Sequence, residues 1–195
     1  MSRCLRIVLV LAALVLPNFL MAEECEDLKS ASPTEAVNYL DNIQTKTVAC
    51  VKAAFKQIEH LPSEDAIPIL INHLGYKRPL TSTESTGVFF RGKGAAEMYP
   101  AIHSLAIVGN AAEPALIDFV ARDQDDGGIE RNNALHALLL IRHGGVVKLI
   151  EMLHKQSLAL GGTPGAVRLE SAAKDLVKRW CYPEIQAQCQ NALTR

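Results

Sequence analysis

Aromatic side chains are scarce in this chain, at 5% of 195 residues with a single tryptophan, although 49% of the residues are hydrophobic. A core drawn from such a composition rests on alanine and leucine, which favours helix over strand. A basic excess is missing as well, since 20 Lys and Arg stand against 21 Asp and Glu. No surplus of cations is there to hold a phosphate backbone, which argues against nucleic acid as a partner. The catalytic signatures GxSxG, HExxH and HxxEH are absent, and so are the CxxC redox pair and the P-loop spacing GxxxxGK[ST]. No cofactor is implied. Long apolar runs are limited to Ile7–Leu16 in the first segment, too short for a comfortable membrane span.

That first segment reads as an export signal. MSRCLR is basic, IVLVLAALVL is apolar, and Ala22 precedes the acidic Glu23 and Glu24. Residues 1–22 are therefore expected to be removed, with membrane contact only through an uncleaved signal. Their loss takes away Arg3 and Arg6 and moves the net charge to about −3. Residues 23–195 suit one domain. Four cysteines remain, Cys25, Cys50, Cys181 and Cys189. An even number in an exported chain suggests disulfides, and four cysteines allow three pairings. Pairing Cys25 with Cys50 and Cys181 with Cys189 is favoured, because each pair lies near one chain end and would staple a terminal helix. A zinc site lacks the paired Cys/His spacing. The expected location is periplasmic or extracellular.

From Ser32 onward the pattern is helical. Ser32-Pro33-Thr34-Glu35 forms a capping box opening a helix to about Asn42. Val48, Val51, Phe55 and Ile58 mark one face of a helix over 46–60, and Ile67, Leu70, Ile71 and Leu74 mark the next, from Ser63 to Gly75. Residues 76–95 show no helical period and carry Pro79 and three glycines, the composition of a long loop that is functional or mobile. Helices are then expected over 96–108, 112–122, 129–142, 145–157, 165–180 and 183–193.

The helices rhyme. AIHSLAIVG at 101–109 aligns without a gap with ALHALLLIR at 134–142, matching Ala101 with Ala134, His103 with His136, and Leu105 with Leu138. The following helices share an apolar-apolar-polar-x-apolar phrase at Leu70–Leu74, Leu116–Val120 and Leu149–Leu153. A helix pair recurring every 33 residues or so is the mark of a stacked α-solenoid. The ankyrin and tetratricopeptide signatures are missing. AIHSLAIVGNAAEPALIDFVARD at 101–123 instead resembles a HEAT or HEAT-like repeat, with a small-residue turn at Gly109 and Pro114 near the start of the second helix. Pro68 holds the corresponding place earlier; Arg142 and Val147 depart from the pattern in the later pair. The resemblance covers roughly 46–157, with a degenerate pair at 165–193. It implies an all-α, right-handed stack of about four pairs that binds proteins along one face, with no catalytic residues to carry over.

Chemistry-bearing candidates are few. His103 and His136 hold the same repeat position and would meet if their helices stack side by side, but two ligands make no firm metal site. DQDDGGIE at 123–130 has oxygen ligands around glycines, yet Ala134 stands where a calcium loop needs its closing glutamate. Ser104 is adjacent to His103 on a helix and does not face it. Glu97, Arg142, His143 and His154 read as exposed-face residues, and Trp180 as the end of the core stripe Leu169, Ala173, Leu176, Val177. The strongest candidates are Phe89, Phe90, Arg91 and Lys93 in the long loop, where aromatics and cations alternate with glycines in a pattern suited to partner contact. The expected function is protein binding through one face of the stack. Two alternatives are a lyase-type enzyme handling a small molecule or chromophore, favoured by a pocket of His103, His136 and Glu97, and a structural envelope subunit.

Overall fold

The computed structural model describes residues 25, 28–42, 47–81, 84, 95–122, 128–143 and 145–194. The expected signal segment, the loop residues Phe89, Phe90, Arg91 and Lys93, and Asp123–Gly127 lie outside the described residues. The described residues hold helices and no strand. In chain order they are α1 (Pro33–Asn42), α2 (Val48–Glu59), α3 (Ser63–Asn72), α4 (Ala95–Met98), α5 (Pro100–Val108), α6 (Glu113–Arg122), α7 (Ile129–Ile141), α8 (Val146–Leu160), α9 (Pro164–Trp180) and α10 (Gln186–Ala192). A 3₁₀ turn, Gly109–Ala112, joins α5 to α6.

Local chemistry sets the ends of these helices. The capping box before α1 closes in both directions: Glu35 Oε2 accepts from Ser32 N at 2.6 Å, and Ser32 Oγ accepts from Glu35 N at 3.4 Å. Donation from the Ser32 hydroxyl, at 2.7 Å, and from its backbone N–H holds the Glu35 carboxyl below its ordinary pKa. Thr47 caps α2 by accepting from Cys50 N, and Thr163 caps α9, with Pro164 at its first position. The single helix expected over 96–108 is broken at Tyr99, whose φ of −120° and ψ of 87° are those of a residue pushed out of the helical region by the following Pro100. Gly109 ends α5 at a φ of +75°, a conformation only glycine adopts cheaply. The aligned Arg142 stays at a φ of −88°, and His143 one position later takes the positive φ instead, at 51°. The second copy of the turn is displaced by one residue.

The aligned phrases share their burial. Ala101 and Ala134, Leu105 and Leu138, and the second-helix residues Leu70, Leu116 and Leu149 are all fully buried. Burying each such leucine contributes about 1.5–3 kcal/mol relative to leaving it in water. Helix α5 packs on α2, α3 and α7, while α9 lies along α8 and against α6. Helix α7 is buried nearly all round, Arg131 and Asn133 included, which makes it the central helix of the core. Asn133 Nδ2 donates to the Leu74 carbonyl at 2.7 Å, so this buried amide closes an open end of α3. Pro100–Arg122 is apolar and long enough to span a membrane, but Gly109 divides it into core helices of nine and ten residues, each too short alone.

Disulfides join Cys25 to Cys50 and Cys181 to Cys189, the pairing favoured from the sequence. They tie the start of the described chain to α2 and the end of α9 to α10, and are compatible with an oxidising, exported location.

Candidate functional site

The long connection between α3 and α4 starts at a built neck. Arg78, 5% exposed, places its guanidinium against Glu84, which is equally enclosed. Nη1 and Nη2 donate to Glu84 Oε2 and Oε1, each at 2.8 Å, while Nε donates to the Glu97 carbonyl at 2.5 Å. The Arg78 backbone N–H adds a 3.0 Å bond to the Met98 carbonyl. The paired carboxylate holds the guanidinium pKa above its ordinary value. Thr81 and Glu84 bond reciprocally, Thr81 N to Glu84 Oε2 at 2.8 Å and Glu84 N to Thr81 Oγ1 at 3.2 Å. That is the capping-box pattern, written as Thr81-Ser82-Thr83-Glu84.

Beside the neck, α2 and α5 enclose an open cleft of about 500 Å³. Its lining is mixed: Phe55, Ala96, Pro100 and the 55% exposed Ile107 are apolar, and Glu59, Arg78, Glu97 and Ser104 lie among them. Lys52 and Lys56, one turn apart on the exposed face of α2, stand at its edge with His103 from α5. Neither lysine forms an ion pair among the described residues. The acidic groups are already engaged: Glu59 Oε1 accepts from Ser104 Oγ at 2.6 Å, and the Glu97 charge acts on Arg78. Ser104 is thus a buried tie between α5 and α2.

The aligned histidines occupy different cavities. His103 and Glu97 line the cleft above, whereas His136 lines a smaller one, about 320 Å³, with Asn132, Asp175, Arg179 and Trp180. The His136 ring stands edge-on to Trp180 with centroids 5.2 Å apart, and burial lowers its pKa. Trp180 is 36% exposed, so it covers the histidine at the surface and does not end the core stripe as expected; Leu169, Ala173, Leu176 and Val177 are buried. Among the described residues no group of three or more His, Cys, Asp and Glu side chains converges in a way that could hold a metal.

Two other residues read as exposed from the sequence are engaged. Arg142 bonds Glu113 at 2.6 Å, bridging the end of α7 to the start of α6. His154 Nδ1 lies 2.7 Å from Glu170 Oε2, which Ser157 Oγ also reaches at 3.2 Å. Burial would raise the Glu170 pKa, but hydrogen bonds from His154 and Lys174 outweigh it and leave it below the ordinary value. This cluster borders an open cavity of about 540 Å³ between α8 and α9, with Leu158 and Val167 exposed at its edge. Ser157 Oγ donates to the His154 backbone carbonyl at 2.7 Å and not to its ring, so among the described residues this cluster shows no serine–imidazole bond.

No protein-family model, curated protein or solved structure significantly matches this chain. The geometry of the α2–α5 cleft and the neck beside it therefore carries the functional argument.

Proposed function

We propose that this chain is an exported, non-enzymatic protein-binding module, built as a right-handed stack of about four HEAT-like helix pairs. The shared burial of the aligned positions in α5 and α7, and in α3, α6 and α8, supports the stacking. The contact of α9 with α6 as well as α8 fits the degenerate fourth pair, which serves as a cap. The single observation that carries the binding role is the open cleft, lined in part by apolar side chains, beside a neck fixed by a buried ion pair. Long connections mounted on rigid scaffolds are where binding residues concentrate. Phe89, Phe90, Arg91 and Lys93 lie in sequence between Glu84, which Arg78 binds, and α4, whose Ala96 and Glu97 line the cleft.

The test is cross-linking in envelope extract with the full chain, expressed by an export route so that both disulfides form. It is compared with a variant whose residues 85–94 are exchanged for a Gly/Ser linker, keeping Arg78, Thr81 and Glu84. One protein cross-linked to the natural chain and lost from the variant is the expected result. Equal cross-linking of both would remove the loop from the reading, and none by either folded chain would remove the binding role.

A further inference from the structure

We infer that the α2–α5 cleft takes an acidic protein segment carrying an apolar anchor, with the carboxylates received by Lys52 and Lys56. The inference rests on the binding reading above and names the partner's chemistry. The argument comes from what is left unpaired. The chain as a whole has no cationic excess, yet the two cations at this edge lack acceptors among the described residues while the nearby acids are engaged. Lys52 and Lys56 lie on one helix face one turn apart, so their ammonium groups can meet two acidic side chains of one segment. The same cleft presents Phe55, Ala96, Pro100 and Ile107, the last 55% exposed. A residue such as leucine or phenylalanine seated on Phe55, Pro100 and Ile107 would remove that surface from water, and flanking carboxylates would set its register. A basic segment would meet Lys52 and Lys56 with like charge, which costs affinity and slows encounter.

The probe is a displayed library of random peptides, selected on the full, disulfide-bonded chain and then synthesised for affinity measurement. Selection should enrich sequences in which acidic residues flank a large apolar one. The double variant Lys52→Glu, Lys56→Glu changes only exposed side chains and should weaken the selected peptides by about tenfold or more, with binding that also falls as salt rises. Ile107→Asp should weaken them comparably through the anchor, and Lys178→Glu on α9 should leave affinity unchanged. Circular dichroism confirms the helical fold of each variant. Enrichment of basic or uncharged sequences, or of acidic ones indifferent to the α2 variants, would overturn the cleft assignment and leave protein binding in place. Absence of any enrichment from a folded chain would overturn both.

Discussion

His103 and His136 are one position written twice, and the molecule treats them differently. The first is exposed at the edge of a cleft, while the second is half-buried against Trp180 with its pKa lowered. Their flanking residues are buried alike, with Ala101 and Ala134, and Leu105 and Leu138, fully buried. The matched sequence phrases thus share the burial of their flanking residues, and segments outside them decide what each histidine meets. For His103 those segments are α2 and the loop neck; for His136 it is the last turn of α9.

The sharpest way to break this contrast is at the neck, which serves only the first copy. Arg78→Ala leaves Glu84 enclosed without its counter-charge and should cost about 3–5 kcal/mol in urea or thermal unfolding. The paired replacement Arg78→Met, Glu84→Leu should cost clearly less, because no orphaned charge remains. Equal losses from the single and double changes would mean that packing, not the ion pair, holds the neck. Next in size is the matched pair Leu105→Ala and Leu138→Ala. Each should lose about 2–5 kcal/mol, and the two values should be similar if the copies are mechanically equivalent. A large gap between them would show that the shared register hides different packing.

The smallest effect separates the histidines themselves. Burial holds the His136 pKa below its ordinary 6.5, so the unfolded chain binds more protons than the folded one as acid is added. Its contribution to stability is complete above about pH 6.5 and is lost as pH falls from there towards the lower folded value. His136→Phe should flatten that slope in melts taken between neutral and mildly acidic pH, whereas His103→Phe should leave it in place. Glu170 also has a lowered pKa, but its contribution disappears only in the carboxylate range, as pH falls through its folded value. The two limbs can be read apart.

Much of the helical layout was legible because amphipathic spacing and capping residues act locally. Ser32 and Glu35 bond as their spacing implies, and Val51, Phe55 and Ile58 are buried on the expected face of α2. Tyr99 was misjudged although its signal was local too, since Pro100 excludes a helical residue before it. The cleft was not legible. Lys52, Lys56 and Ile107 come from helices whose approach depends on tertiary packing, and each alone resembles ordinary helix surface. The ties of Arg142 and His154 are illegible for the same reason, because Glu113 and Glu170 lie 29 and 16 residues away. Glu84 did leave a trace: the Thr81–Glu84 spacing is a capping box, overlooked inside a segment that has no helical period.

The Arg78–Glu84 pair also makes this chain a candidate for splitting. A peptide bond cut between residues 85 and 94 would leave Glu84 gripped by Arg78 on one fragment. The other fragment would begin near α4, with its Glu97 and Met98 carbonyls held by the same arginine. Helix α5 would still lie against α2 and α3 across the break. The two fragments would travel as one particle under native conditions and part only on denaturation, which offers a natural seam for building a two-piece reporter from this protein.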